Sequence, residues 1–580
     1  MMSAHKNAIR LSTLLVGAAV FALVAACSSL GADQCAAGTS GDLDCERVLG
    51  VATGQAVCDL GTCRAKGNAP PAQNDTDAGP TVSPCVSTAQ CTTENGNRPS
   101  ICREPGIKPC VPIASETCEV NGDGWKEAKN PIFVGVLLSK TQLSDNSILS
   151  YSVTNEKGIR LAEEEWLAET TGGLNVGGER RPIINVYCDI KGDPDTARKQ
   201  FDFVTLGVGA QAVIAETPSE LAWFVDAAQT RGTFVYLTEY GCDDIAPTGK
   251  LNGLCFTNSP PFDFGKPLMK EWVKETEARV RTDRALDPTG KVKAVLLAAR
   301  AGQSASISTY IDGLNAEIEI NGMPASMQPT LYREINPVLL PDGTVDYLKT
   351  AQAVAAFGPD LVITLEARDF HLWYMPLIEA NWPAGLGYRA RYIGTDNIAF
   401  ARRFAVSVGG NEPLRKRIDG VWTALDTTTQ PVFDDFLKRY QARYAEENVD
   451  RVTTGYDAFN GTAFGIAAAL TSGTVQASAL KGSDIGKGMK RLDSGPTNEL
   501  LPKNIPTALA TLANGGSIDL VGAVSSMDWD PVNGCPGADA AVFCVYRDVG
   551  QSLYVDDLGF AFRHKTKTFD PPLPHSAICP

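Results

Sequence analysis

The stretch IFVGVLLS (132–139), followed by TNEKGIRLAEEEWLAET (154–170), decides the fold. The first is an uncharged run of strand length, and apolar positions in the second recur at helical spacing before a glycine-rich exit. A strand without polar alternation is buried on both faces, as in a parallel sheet covered by helices. The pair then repeats. PIINVYCDI (182–190) reads as a strand and DPDTARKQFDFVTLG (193–207) as a helix with proline in its first turn. AQAVIAE (210–216), the Ser-capped helix SELAWFVDAAQTRG (219–232) and TFVYLTEY (233–240) continue the alternation, which predicts an α/β fold.

The pattern restarts with the helix FDFGKPLMKEWVKETEARVRTD (262–283) and the strand KVKAVLLAAR (291–300). PTLYREIN (329–336), PDLVITLEA (359–367) and RYIGTDN (391–397) follow as strands separated by helical stretches. Two long helices come next, VFDDFLKRYQARYAEE (432–447) and TTGYDAFNGTAFGIAAALTSG (453–473). IDLVGAVSSMDWDP (518–531) and AVFCVYRD (541–548) then read as strands of a hairpin. Two α/β sets of similar size predict two lobes with a cleft between them. The expected boundaries are 131–258 and 426–515 for the first lobe, 259–425 and a returning hairpin at 516–550 for the second, and a tail at 551–580.

Before residue 131 the texture differs. Basic residues, the apolar stretch Leu11–Ala26 and the small residues before Cys27 read as an export signal over 1–26, too short to span a membrane. VAAC (24–27) resembles a bacterial lipobox, which makes Cys27 the lipid attachment point; an ordinary signal peptide cleaved elsewhere is the alternative. Residues 27–130 carry cysteines among Gly, Pro and polar residues, divided by the linker GNAPPAQNDTDAGPTVSP (67–84), and read as a disulfide-stapled stalk. Of the 16 cysteines, Cys242 with Cys255 and Cys535 with Cys544 look like local pairs, whereas Cys118, Cys188 and Cys579 have no evident partner. CxxC spacing is absent and NGDG (121–124) fails as a calcium loop, because Glu119 and Asn130 would stand at its first and last ligand positions. No metal or cofactor is therefore expected.

A formal net charge of -15 with no basic run argues against nucleic-acid binding. Four histidines, of which His371 alone falls inside the expected lobes, leave no base for a triad, and no GxSxG, HExxH or P-loop occurs. TLGVGAQAV (205–213) places its glycines before a strand rather than after one, so it reads as a helix-ending turn. Asp243/Asp244 and Asp434/Asp435 are adjacent in sequence and point apart. A non-enzyme is expected, with an exported hydrolase the weakest reading.

In open α/β sheets small molecules bind beyond the carboxyl ends of the strands. The candidates there are Ser139, Glu216, Thr217, Ser219, Thr238, Glu239, Glu366, Arg368 and Asp396. Hydroxyls before helix N-termini suit a carboxylate, and Asp396 suits an ammonium, while a plain N-cap accounts equally for Ser219.

Together, IFVGVLLS, GIRLAEEEWLAETTGGL (158–174), VYCDIKGDPDTARKQ (186–200), GAQAVIAETPSE (209–220), RYIGTDN, GYDAFNGTAFGIAAAL (455–470) and IDLVGAVSSMDWDPVNG (518–534) resemble the type I periplasmic-binding-protein fold, in its leucine/isoleucine/valine-binding family of ABC-transporter receptors. The resemblance spans residues 131 to about 550. It implies ligand contacts at Tyr151, at Ser219 or Thr217, at Thr238, and at Asp396 for an α-amino group, with Tyr456 near the hinge unless it packs in the core. Glu216 and Glu239 depart from the family's pattern, because a carboxylate ligand would meet like charge there. The implied function is that of a lipid-anchored, extracytoplasmic receptor that closes on an amino acid or related polar solute and presents it to an ABC permease. A cell-surface sensor or adhesion module using the same lobes is the alternative.

Overall fold

The structure, a computed structural model, describes residues 56–59, 62–65 and 84–570, except for segments 142–149, 217–221, 239–240, 243–252, 301–304, 366–369, 396–407, 425–427, 446–451, 472–478 and 548–552 and a few shorter ones. The signal segment and Cys27 lie outside the described residues. Two compact units divide the chain, Met1–Ser83 and Pro84–Pro580. In the first, Ala56–Asp59 and Thr62–Ala65 form an antiparallel hairpin.

The second unit holds both lobes. The first lobe contains β1 (Cys118–Val120), β2 (Ile132–Leu138), α1 (Ser150–Glu169), β3 (Ile183–Asp189), α2 (Pro194–Asp202), β4 (Ala212–Ala215), α3 (Ala222–Arg231), β5 (Phe234–Leu237) and β6 (Cys255–Thr257). Its sheet runs β6-β5-β4-β2-β3-β1, parallel except for β1. Every residue of β2 is buried, as its uncharged sequence demands. Asp193 caps α2 by accepting from the Thr196 amide, and Pro194 occupies the first turn, where a missing N–H costs nothing.

The second lobe contains α4 (Lys266–Asp283), β7 (Ala294–Leu297), α5 (Ala305–Glu317), β8 (Tyr332–Ile335), α6 (Tyr347–Phe357), β9 (Leu361–Thr364), β10 (Arg391–Gly394) and β11 (Ile418–Ala424). The chain then returns to the first lobe with α7 (Gln430–Tyr444) and α8 (Val452–Thr471), whose Phe436, Tyr440 and Phe464 join the core formed by Val134, Val136 and Ile214. It ends in the second lobe with β12 (Asp539–Arg547), β13 (Leu553–Arg563) and β14 (Thr568–Asp570). The second sheet runs β8-β7-β9-β10-β11-β12-β13-β14, parallel through β11 and antiparallel beyond. Each sheet has a hydrophobic core on both faces. The two-lobed α/β architecture implied by the resemblance is thus present, and both lobes thread their parallel strands in the same doubly wound order, 2-1-3-4-5. Among the described residues no helix is long and apolar enough to cross a membrane.

Several expectations need correction. The stalk does not reach residue 130: Ile101, Ile113 and Trp125 are buried with Phe133 and Leu137, and β1 adds an edge strand to β3. Disulfides Cys85–Cys102, Cys91–Cys110 and Cys118–Cys188 clip this segment, the last one binding it to the lobe. The hairpin expected over 516–550 does not form, because Asp519–Val521 pairs in parallel with Thr497–Glu499 and β12 pairs instead with β13. Residues 553–563 and 568–570 of the supposed tail are therefore sheet.

Cys242 is bonded to Cys255, but Cys535 and Cys544 are not bonded to each other. Cys535 packs beside Cys242 and Cys255 in the first lobe's core, whereas Cys544 faces Asp419 in the second lobe's sheet and has another disulfide partner. His564 is a further correction: it follows β13 and belongs to the second lobe rather than to a tail. Tyr456 is a core residue, 1% exposed, packed on Phe436 and donating to Glu165 Oε2 at 2.8 Å.

Candidate functional site

In a doubly wound sheet, crossovers leave opposite faces on either side of the first strand, so a crevice opens between the carboxyl ends of strands one and three. In the first lobe those strands are β2 and β4, and the residues just past them are Ser139 and Glu216. They meet: the Ser139 amide donates to Glu216 Oε2 at 3.3 Å. Two donors from the first turns of α1 complete the cluster, Ser152 Oγ to Oε2 at 2.6 Å and Asn155 Nδ2 to Oε1 at 3.0 Å. Glu216 is 2% exposed, and a carboxylate so buried needs such donors to remain folded in. The start of α1 adds a favourable field for negative charge.

The neighbouring strand ends extend this floor. Thr238, past β5, is buried and lies against the Ala215 carbonyl. Asn258, past β6, accepts from the Tyr236 hydroxyl and donates to the Thr454 carbonyl, while Thr454 Oγ1 donates to Asn155 Oδ1 at 2.8 Å. At the end of β3, Asp189 accepts from the amides of Lys140, Thr141 and Lys191 and from Thr141 Oγ1 at 2.6 Å. Lys140 reaches instead to Glu156 on α1, at 2.9 Å.

Asp457, one turn into α8, is fully buried and accepts from the amides of Ala523 and Val524 at 3.0 and 2.8 Å. Burial pushes its carboxyl up to about 7, with the two amide bonds pulling in the opposite direction. Its own burial, and then the nearby Asp457 carboxyl, push the Tyr236 phenol well up.

Past β7 in the second lobe stands Arg300, held by Glu334 at 2.8 Å through Nη2 and by Asp312 at 2.8 Å. Hydrogen bonding to Arg300 holds Glu334 below its ordinary value.

A cavity of about 450 Å³ lies where the chain passes between the lobes, lined by Thr429, Ser526, Asp528, Asp539, His564 and Lys565 among others. Lys565 is paired with Asp528 at 2.6 Å and Asp539 with Arg563 at 2.9 Å, Lys567 Nζ lies 3.3 Å from His564 Nδ1, and burial lowers the pKa of His564.

Of the sequence-expected residues, Ser139, Glu216 and Thr238 stand at the carboxyl edge of one sheet. Thr217, Ser219, Glu239, Glu366, Arg368 and Asp396 lie outside the described residues, as does the Tyr151 side chain, although its backbone is the second residue of α1. Ser152, Asn155, Asp189, Asp457 and Arg300 were not anticipated. A rule that looks only past strands cannot find Ser152, Asn155 or Asp457, which enter from helices, but the runs ending in Asp189 and Arg300 carried the signal.

No protein family matches the chain, and no curated protein matches it. Solved structures do. The branched-chain amino acid transporter substrate-binding protein LivJ from Streptococcus pneumoniae, in complex with isoleucine, is 15% identical with a TM-score of 0.47, covering 74% of this chain and 99% of its own. The leucine-binding protein LivK from Thermotoga maritima is 15% identical, TM-score 0.47, over 73% and 97%. An ABC-transporter substrate-binding protein from Aeropyrum pernix is 14% identical, TM-score 0.48, over 75% and 96%.

Proposed function

We propose that this chain is an extracytoplasmic solute receptor, anchored through Cys27, that captures a small polar molecule at the carboxyl edges of its parallel sheets. One observation carries the reading: both lobes repeat the 2-1-3-4-5 order, so each opens a crevice at its switch point. The polar floor of the first crevice, built from Ser139, Glu216, Thr238 and Asn258, is buried and already organised by hydrogen bonds, as a preformed ligand site is. Closure of the lobes over a solute is the motion such a two-lobed chain supports, and an ABC permease is the partner that the closed form would meet. Anchoring follows from VAAC at 24–27, since one cysteine carrying several acyl chains holds a membrane stably.

Thermal unfolding of the full chain over a library of sugars, polyols, amines and amino acids tests the reading. At least one class raises the midpoint, because a ligand that binds only the folded state adds to its stability. A flat response across the library removes the reading's support. Incorporation of a labelled fatty acid, lost on Cys27→Ala, tests the anchor.

A further inference from the structure

We propose that Glu216 is a built-in anion filling the position where the first lobe would otherwise hold a ligand carboxylate, and that the solute is therefore polar without a free carboxylate, either uncharged or cationic. The inference rests on the receptor reading above and narrows its ligand class.

The switch crevice of a doubly wound sheet attracts anions for two reasons: donors converge there, and the following helix presents its positive end. Here both features are spent. Ser139 N, Ser152 Oγ and Asn155 Nδ2 come from the end of β2 and the start of α1, and all three donate to the Glu216 carboxylate. The carboxylate is 2% exposed, so solvent screens its charge little. A second carboxylate would meet like charge at short range in a low-dielectric setting, with its donors already engaged.

The surrounding charge points the same way. Lys140, beside the crevice, is paired with Glu156, and on the β3 side the Asp189 carboxylate stands against Lys191, so these four charges cancel and Glu216 sets the sign. Among the described residues at this edge the balance is thus negative. An ammonium or a hydroxyl-rich molecule is compatible with that field; a free α-carboxylate is not. The Thr454–Asn155 bond holds the third donor toward Glu216 rather than toward the crevice, so the arrangement is braced from α8 as well.

Two measurements on the full chain test this. In the first, calorimetric titration compares L-leucine and L-glutamate with putrescine, agmatine and glycerol. Binding by a member of the second set, with the amino acids at least tenfold weaker, supports the inference. Tight binding of L-leucine to the unaltered protein overturns it and leaves the receptor reading intact, whereas silence from both sets overturns the receptor reading and the inference with it. In the second, Glu216→Ala and the milder Glu216→Gln remove the charge, and sodium acetate is added. Acetate raises the melting temperature of Glu216→Ala and leaves the unaltered protein unchanged, with sodium chloride as control. Failure of acetate to discriminate between them overturns the filling role. If Glu216→Ala does not fold, a gain of about tenfold or more in L-leucine affinity by Glu216→Gln supports the role, and no gain counts against it.

Discussion

Cys118 and Cys188 are register partners on β1 and β3, and a disulfide joins them across 70 positions of sequence. Closing so long a loop removes much of the unfolded chain's freedom, roughly 4 kcal/mol in the chain-entropy account. Replacing both residues with serine should lower unfolding stability by up to that amount. Urea titration under non-reducing conditions measures it, and an unmoved midpoint would show that the bond does not contribute through loop closure.

Asp457 should make stability depend on pH in the unusual direction. Its folded value of about 7 lies above the ordinary 3.8, so the folded state holds the extra proton and the carboxyl weakens the fold as it ionises. Its contribution is most favourable below pH 3.8 and declines as pH rises to 7. The difference in stability between the unaltered protein and Asp457→Asn should therefore shift in favour of the unaltered protein on going from pH 8 to pH 5. A difference that stays constant across that range contradicts the assignment.

Asp419 on β11 accepts from Trp272 Nε1 at 2.7 Å and from Arg279 Nη1 at 3.2 Å, and all three are buried. Asp419→Ala leaves the Arg279 cation in the core without its counter-charge. A loss of about 3–5 kcal/mol is expected. Adding Arg279→Met should recover part of it, since removing both charges removes the stranded one; denaturant titration of the pair checks this.

Gly455, in the first turn of α8, passes so close to α1 that a Cβ would stand 2.4 Å from the Asn155 carbonyl oxygen. Gly455→Ala should cost about 1–3 kcal/mol through forced separation of the helices. It should also disturb the Asn155 to Glu216 bond, read as weakened ligand binding in excess of the stability loss. Alanine tolerated in both measurements would show that the helices have room to part.

Four of the first lobe's strands were readable, because β2, β4 and β5 are apolar runs of strand length, β3 is interrupted only by Asn185 before its final Asp189, and a helical pattern follows each of β2, β3 and β4; β1 (Cys118–Val120) and β6 (Cys255–Thr257), three residues each, are too short to show a period. Of the C-terminal strands, β12 was legible in AVFCVYRD but β13 and β14 were not. LYVDDLGFAFR (553–563) interrupts its apolar residues with Asp556, Asp557 and Gly559, so neither period dominates. The segment after residue 84 carries no periodic pattern: Ile101, Ile113 and Trp125 are isolated apolar residues among cysteines and polar residues, and their burial depends on contacts distant in sequence. At the site, Glu216 was visible as an anomaly past its strand. The donors from Ser152 and Asn155 that explain it arrive from a helix whose placement no local pattern specifies.

The covalent clips on residues 84–130 also have a mechanical meaning. Tension applied along the backbone from residue 84 first meets the Cys85–Cys102 and Cys91–Cys110 loops, and then the Cys118–Cys188 bond at the sheet's rim. Covalent bonds take that load before any hydrogen bond of β1 is sheared, and the strands flanking Ser139 and Glu216 lie inboard of the rim. A pull from that side is carried into β3 by sulfur bridges rather than by the hydrogen bonds of an edge strand.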